Sequence, residues 1–584
     1  MSAFSSTCHI YIEGQSIIPV TMGQMGGQQV ILLGEDSQRT SGRDALSMNI
    51  TAGRAVASAV RTTLGPKGMD KMLVDSSGDV VVTNDGVTIL REMEIDHPAA
   101  KMVVDVAKTQ ELEVGDGTTS AVVLAGELLA EADRLVDQDV HPTTIASGYQ
   151  SAAEKVGELL DDLVIEVDQD DREFLEQIAA TAMTGKGAEH ARDHLAKLVV
   201  DAALTVADDE ELETRYLDIQ QIVGGSIADT EIIEGVTTEM SRVHMGMPMV
   251  VEDARIAIVD THIEAPELET KARVNVTDTE HLKEFEEEEE RWFDEMVELL
   301  DELGVNVVFC RRPIDSKAQH KFAEAGILAC RNVDEDPARR IARATGAMRV
   351  DDIMQLTEDH VGEAGRVLER ELGKHEWVFV EDLEELNALT IVVRGGTDHV
   401  VDEIERAIDD SLGVVRTTIE HGEVVPGGGA PEIALSLALR DYADSVGGRE
   451  QLAIESFSNA LDVVARTLAE NAGHDPIDAL VELRAMHDTG DHTAGLDAYT
   501  GSITDMAAEG VVEPKRVKTQ AIDAATEAAV MLLRIDDVIA AGDLSTGEEE
   551  DPEEPPDDLD PGMGGMGGMG GMGGMGMGGM GGMM

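Results

Sequence analysis

Gly115-Asp116-Gly117-Thr118-Thr119 sets one carboxylate between two glycines at the mouth of an apolar-rich helical run, Ser120 to Val136, in which Val122, Leu128, Leu129 and Leu135 are available for a core. Glycine lets the backbone approach a ligand closely, and the first N–H groups of a helix have no intrahelical partner, so such a turn suits phosphate oxygens. Thr118, Thr119 and Ser120 add hydroxyl donors in the same turn. Asp116 would repel a bare phosphate, so it makes chemical sense with a divalent cation between the two. Mg2+ favours this donor set, a carboxylate with phosphate oxygens and water. Taken alone, the pentapeptide is more often a tight turn with a capping aspartate.

Three further segments change that weighing. Thr63-Leu64-Gly65-Pro66-Lys67-Gly68 ends a helix (Ala52, Val56, Val60 and Leu64 at four-residue spacing) with a rigid Gly-Pro turn. Val80 to Thr83 reads as a strand running into Asn84-Asp85-Gly86, which presents a second carboxylate. Gly427-Gly428-Gly429 opens another helix from Ala430. At these residues, together with Arg394 to His399 and Asn471-Ala472-Gly473, the chain closely resembles the group II chaperonins, the thermosome family, from about Val30 to about Ala541.

The resemblance implies an ATPase. Asp116 would hold Mg2+, with K+ as a further candidate ion. Asp85 and Asp410 would orient and deprotonate the attacking water, and Lys186, in Thr184-Gly185-Lys186-Gly187, would stand near the terminal phosphate. Gly65 and Pro66 would contact the phosphates by backbone, as would Gly117, Thr118, Thr119 and Ser120. Gly428 and Asp505 would lie on the ribose side. On residue pattern alone Asp410 cannot be told from its neighbour Asp409. For Asp85 the plain alternative is capping the helix through Leu90, and for Lys186 a loop lysine. No Walker A pattern is present, which disfavours a P-loop enzyme.

The 584 residues suffice for two to four domains. A formal charge of −72, from 45 basic and 117 acidic side chains, is extreme, yet 42% apolar content is too high for a disordered chain. Lysine is about half as common as arginine. Such self-repulsion fits a salt-rich cytoplasm, where molar salt screens charges within a few ångströms. It argues against nucleic acid as a partner. Cys8, Cys310 and Cys330 have neither disulfide nor zinc spacing, and the last two read as small buried hydrophobes. No apolar run approaches the roughly 20 residues of a membrane span, and the N-terminus lacks a basic n-region. A cytoplasmic location with no membrane partner is expected.

The fold expected is multidomain α/β, with two helical blocks at the ends of the chain supplying one nucleotide site and a βαβ region inserted between them. By resemblance the chaperonin fold divides as follows: an N-terminal extension at 1–40; a mostly α-helical equatorial domain from 41–169 and 429–543; a small α/β intermediate domain from 170–245 and 396–428; and an α/β apical substrate-binding domain at 246–395. In the last, 274–303 would form a helical protrusion, a built-in lid. Its Leu282, Phe285, Trp292, Met296 and Leu299 interrupt a glutamate run. An acidic and Gly/Met-rich tail at 544–584 is expected to be disordered, and residues 1–21 read as an upstream extension. The partners implied are nonnative protein clients and related subunits of a homo- or hetero-oligomeric double ring. A noncatalytic nucleotide-binding ring scaffold and a metal-dependent phosphotransferase are the competing functions. The latter lacks a kinase-type Val-Ala-Ile-Lys strand and His-Arg-Asp loop.

Overall fold

The structure, a computed structural model, describes residues 38–168, 171–188, 190–208, 211–212, 216–266, 279–383 and 388–540. The chain divides into two compact units. One comprises the chain ends, 1–39 and 539–584, of which residues 38–39 and 539–540 are described; the expected extension, Cys8 and the tail lie almost wholly outside the described residues. The other, 40–538, carries among the described residues three main hydrophobic cores, the third divided between the two faces of its sheet, with smaller clusters beside them.

The first core is helical and drawn from both ends of this unit. Helices α1 (Arg43–Val60), α2 (Gly86–Glu92), α3 (Pro98–Val114), α4 (Thr118–Asp137) and α5 (Pro142–Asp161) supply its N-terminal half. Leu46, Ile50, Val56 and Val60 form the buried stripe of α1, at the spacing of one helix face. This helix crosses α4 closely because Gly53 and Gly126 carry no side chain: a Cβ on either would come within 2.5 Å of Leu129 or Ala57. A hairpin, Lys71–Val74 with Val80–Thr83, leads into α2.

The second core packs α6 (Arg172–Ala182) and α7 (Arg192–Val206) over a three-stranded sheet, in which Leu389–Gly395 runs parallel to Leu217–Val223 and antiparallel to Glu231–Ile233. The third is a seven-stranded mixed sheet with helices on both faces. Successive residues of its strands alternate between the two faces. Ile256, Ile258, Val307 and Phe309 share one core with α10 (Glu335–Thr345); Ala257, Val259, Val308 and Cys310 share the other with α8 (Thr279–Glu302) and α9 (Ser316–Ala325). Both Cys310 and Cys330 are buried free thiols, whose pKa values burial pushes up.

After the third core the chain returns to the second through α11 (Asp398–His421), then to the first through α12 (Ala430–Ser445), α13 (Arg449–Leu461), α14 (Val463–Ala472) and α16 (Lys515–Leu533), while α15 (Pro476–Asp488) packs in smaller clusters with α12 and α14.

Three features differ from expectation. A long antiparallel hairpin, Gly362–Leu372 with His375–Glu381, occupies a stretch read only as alternating strand and helix. Two strands fall across the expected borders: Leu389–Gly395 packs in the second core, and Gly235–Glu239 joins the sheet of the third. Along α8 the apolar residues are not free. Phe293, Met296 and Leu300 are buried, with Trp292 and Leu299 packed beside them, so its C-terminal half is anchored in the core. Residues 274–278 of the expected lid lie outside the described residues.

In the first core Phe457 of α13 is fully buried and meets Tyr149 of α5 edge-on, with ring centroids 5.5 Å apart. Phe457→Ala should therefore cost about 3–5 kcal/mol. Denaturant unfolding in molar salt reads this as a lowered midpoint; an unchanged midpoint would mean the cavity refills.

Candidate nucleotide site

The site begins with two helix N-termini held side by side. Asp85 follows the strand Val80–Thr83 and caps α2, its carboxylate accepting from the N–H of Thr88 at 2.8 Å and of Val87 at 3.4 Å. Thr118, at the start of α4, donates its hydroxyl to the same carboxylate at 3.3 Å. Between α3 and α4, Gly115 and Gly117 take φ of 76° and 80°, a left-handed conformation that glycine adopts freely, and Asp116 is thrust out between them. Buried Gln110 fixes this turn, donating to the Asp116 carbonyl at 2.7 Å and to the Val517 carbonyl at 3.1 Å.

A loop from the second core covers the turn. Gly185 packs on the backbone of Gly65 and Pro66, and Asn84 donates to its carbonyl. The next residue, Lys186, reaches Asp116 Oδ1 at 3.2 Å and Asp410 Oδ2 of α11 at 2.5 Å. Orientation distinguishes the neighbours Asp409 and Asp410: Asp410 is buried against Lys186 while Asp409 is exposed. Beyond the turn lies a cavity of about 830 Å³, lined by Gly65, Pro66, Asp85, Asp116 to Ser120 and Lys186, with Gly427 to Gly429 also on its wall. The carbonyl of Gly428 accepts from Leu496 N–H at 2.9 Å, which a Cβ at Gly428 would disrupt.

Asp505 is a correction. Its exposed carboxylate accepts from the N–H groups of Ala507 and Ala508, and it does not line the cavity. Three acids nearby do line it, Asp497, Glu509 and Glu513, and all three were missed. Lys518 of α16 is nine-tenths buried and sits 2.8 Å from both Glu513 and Glu432. The available signal was a scarce lysine on the apolar face of a helix, between Val517 and Ala521.

Charge is crowded here. Burial opposes the Lys186 charge, but Asp116 and Asp410 outweigh it and hold the ammonium firmly protonated. Burial pushes the Asp410 carboxyl up; Lys186 opposes this, while Asp85, Asp116 and Glu111 add to it. Glu111, half-buried near the end of α3 and also missed from sequence, is pushed up to about 7 by burial and then by Asp85. No cluster of three His, Cys, Asp or Glu side chains suited to hold a metal occurs among the described residues. A single carboxylate beside hydroxyls and backbone N–H groups fits Mg2+ carried in with phosphate oxygens rather than a closed protein cage.

The TCP-1/cpn60 chaperonin family model matches residues 56–543, most of the chain. The chain belongs to that family. Thermosome subunit alpha of Halobacterium salinarum is 61% identical over 530 residues, covering 91% of this chain and 94% of that protein. Thermosome subunit 1 of Haloferax volcanii is 62% identical over 522 residues, 89% and 93% of the two chains. Thermosome subunit alpha of Archaeoglobus fulgidus is 52% identical, over 91% of this chain and all of its own length. The protein is thus an ATP-dependent group II chaperonin and an ATPase, and neither the scaffold nor the phosphotransferase is favoured. Among the described residues, no helix of this chaperonin is long and apolar enough to cross a membrane.

Glu111 gives a pH prediction. Its folded pKa of about 7 exceeds the ordinary carboxylate value, so its ionisation destabilises the fold progressively from the unfolded pKa upward and fully above pH 7. Without nucleotide, Glu111→Gln should be more stable than the parent at pH 8, and the gap should close as pH falls from 7 towards 5. Thermal unfolding across that range measures it; a gap independent of pH would mean Glu111 is not the titrating group.

Proposed function

We propose that the cavity takes Mg–ATP with its phosphates on the turn at Asp116 to Thr119, and that Asp85 and Asp410 act on the attacking water. The observation that carries this is the Lys186 bridge, which gathers Asp116 and Asp410 from two separate cores onto one ammonium. The N–H groups at the head of α4 and the hydroxyls of Thr118, Thr119 and Ser120 hold phosphate oxygens. Asp116 is the protein ligand for Mg2+, which when bound supplies charge neutralisation to the phosphates; K+ is a second candidate ion. Lys186 follows the negative charge on the terminal phosphate. Asp410, its carboxyl raised by burial, is a base poised to accept the proton of a water oriented by Asp85. Gly65 and Pro66 border the phosphates, and Gly428 with Glu513 borders the sugar end.

The three cores correspond in this reading to equatorial, intermediate and apical domains. Subunits assemble into a double ring, a reading supported by relatives that are named as subunits, and the ring encloses nonnative protein in a salt-rich cytoplasm. Since Asp410 reaches the phosphate turn from the second core, closure of that core onto the first completes the site and couples hydrolysis to movement.

Asp410→Ala should keep ATP binding and lower turnover by about 10²–10⁴-fold, the usual worth of a positioned base. Asp116→Ala should instead weaken Mg2+-dependent ATP binding itself. Equilibrium nucleotide binding and steady-state phosphate release separate the two. Undiminished release in the first variant, or parental Mg–ATP affinity in the second, would remove that residue from its role.

The lid is tested by deletion that respects the anchored half of α8. Removing 278–288, upstream of the Glu289–Lys317 ion pair and of buried Phe293, should spare ATP hydrolysis and abolish ATP-dependent protection of a captured client from protease. A deletion variant that still shields its client would make this helix an ordinary amphipathic surface element.

A further inference from the structure

The helix that carries Asp410 meets the phosphate turn backbone to backbone. Gly413 of α11 faces Gly115, the residue before Asp116, and neither has a side chain to hold them apart. A Cβ on Gly413 would stand 2.9 Å from the Gly115 Cα and 3.2 Å from the Val114 carbonyl oxygen. A Cβ on Gly115 would stand 2.9 Å from the Gly413 Cα and 3.5 Å from the Asp410 carbonyl oxygen. All these neighbours are backbone, which cannot swing aside as a side-chain end can. Residues three apart share one helix face, so Asp410, Gly413 and Arg416 form a single stripe along α11. Arg416 extends it, donating to the Glu113 carbonyl at 3.4 Å.

We propose that the Gly413–Gly115 contact is the stop that sets how closely Asp410 approaches the phosphate turn, making Gly413 a positioning residue for hydrolysis. The inference rests on the reading of Asp410 given above. Its physical basis is distance. Ordinary van der Waals separation begins near 3.4 Å, so one added methyl lifts α11 off the turn by about half an ångström to one ångström. A reacting group displaced by that much loses up to about a hundredfold in rate. The phosphate-binding donors stay where they are, because they belong to α4 and its turn.

Helix propensity makes the test sharp. Gly413 lies inside a helix at an ordinary helical φ, where alanine is the better residue. A site that mattered only for packing would lose stability on Gly413→Ala and keep its turnover while folded; a positioning site loses turnover in the folded variant. Gly157→Ala is the matched control, the same change inside α5 with nothing within 4 Å of the added methyl. The expected result for Gly413→Ala is a fall in kcat of roughly 10- to 100-fold, with ATP affinity within about twofold of the parent and a thermal midpoint that stays above the assay temperature, so that the variant is measured folded. Gly157→Ala should match the parent in all three. Parental turnover in Gly413→Ala overturns the proposal, and so does a loss of ATP affinity in proportion to the loss of rate, or a thermal midpoint below the assay temperature. If Asp410→Ala itself retains turnover, the reading of the site fails; if Asp410→Ala is dead and Gly413→Ala is fully active, the stop alone fails.

Discussion

One half-buried ammonium, that of Lys186, ties the site's elements together. Lys186 stands among Asp116 and Asp410, which it touches, and Asp85 and Glu111, whose charges it feels. Removing one partner of such a cluster leaves carboxylates facing each other out of water, which is strongly unfavourable. The three elements that meet there come from different parts of the molecule: the turn between α3 and α4, the loop after α6, and the middle of α11. The turn is anchored in the first core and the other two elements in the second, so neither core alone would bring the carboxylates together. The lysine supplies the attraction, and the paired glycines 115 and 413 supply the room. Attraction without the close approach would leave Asp410 too distant from Asp116, and the approach without the cation would stack like charges.

The same logic explains how a chain so acidic spends its few lysines. Arginines dominate partly exposed pairings, as where the fork of Arg349 reaches both oxygens of Asp260. Bridging two carboxylates from separate elements in a confined space suits a compact point charge on a flexible stem. Lys186 does this at the phosphate end and Lys518 at the other, between Glu432 and Glu513. Both ends of the cavity thus rest on a lysine, while the acid excess stays where water and salt can screen it.

Much of this was legible in the sequence, because the informative signals are local. Gly115 to Thr119, Asn84-Asp85-Gly86 and Gly427 to Gly429 combine backbone freedom with a helix start, and each is a helix N-terminus in the structure. The helices of the first core followed from periodicity. What failed was what depends on three dimensions. Asp505 and Glu513 are acids of one loop region, and nothing in their neighbours tells which faces the cavity; Asp505 instead caps its own turn. The hairpin 362–381 is apolar on both faces, with Val367, Val378 and Val380 in one cluster and Leu368, Trp377 and Phe379 in another, so it shows no clean alternation, and the strand 235–239 gave no sign of the sheet it would join. On α8 the aromatic residues looked exposed only because their partners, Ala318 and Phe322 of α9, lie elsewhere in the chain.

None of the residues lining the cavity lies between 217 and 395, so whatever the third core does must reach the site through the second. A continuous path exists. Asp410 sits on α11, whose first turn is capped by Thr397, directly after the strand Leu389–Gly395. Within that strand the buried Thr390 donates its hydroxyl to the Gly235 carbonyl at 2.8 Å and accepts from Thr237 N–H at 3.3 Å. Those two residues belong to the edge strand of the third sheet, paired with His375–Glu381. Gly235 has no space for a side chain, since a Cβ would lie 2.0 Å from the Val380 carbonyl. The helix bearing Asp410 is therefore one hydrogen-bonded strand away from the sheet that carries α8. A shift of α11 against the phosphate turn moves a rigid strand rather than a loose linker, which is the mechanical requirement for hydrolysis in the first core to be felt in the third.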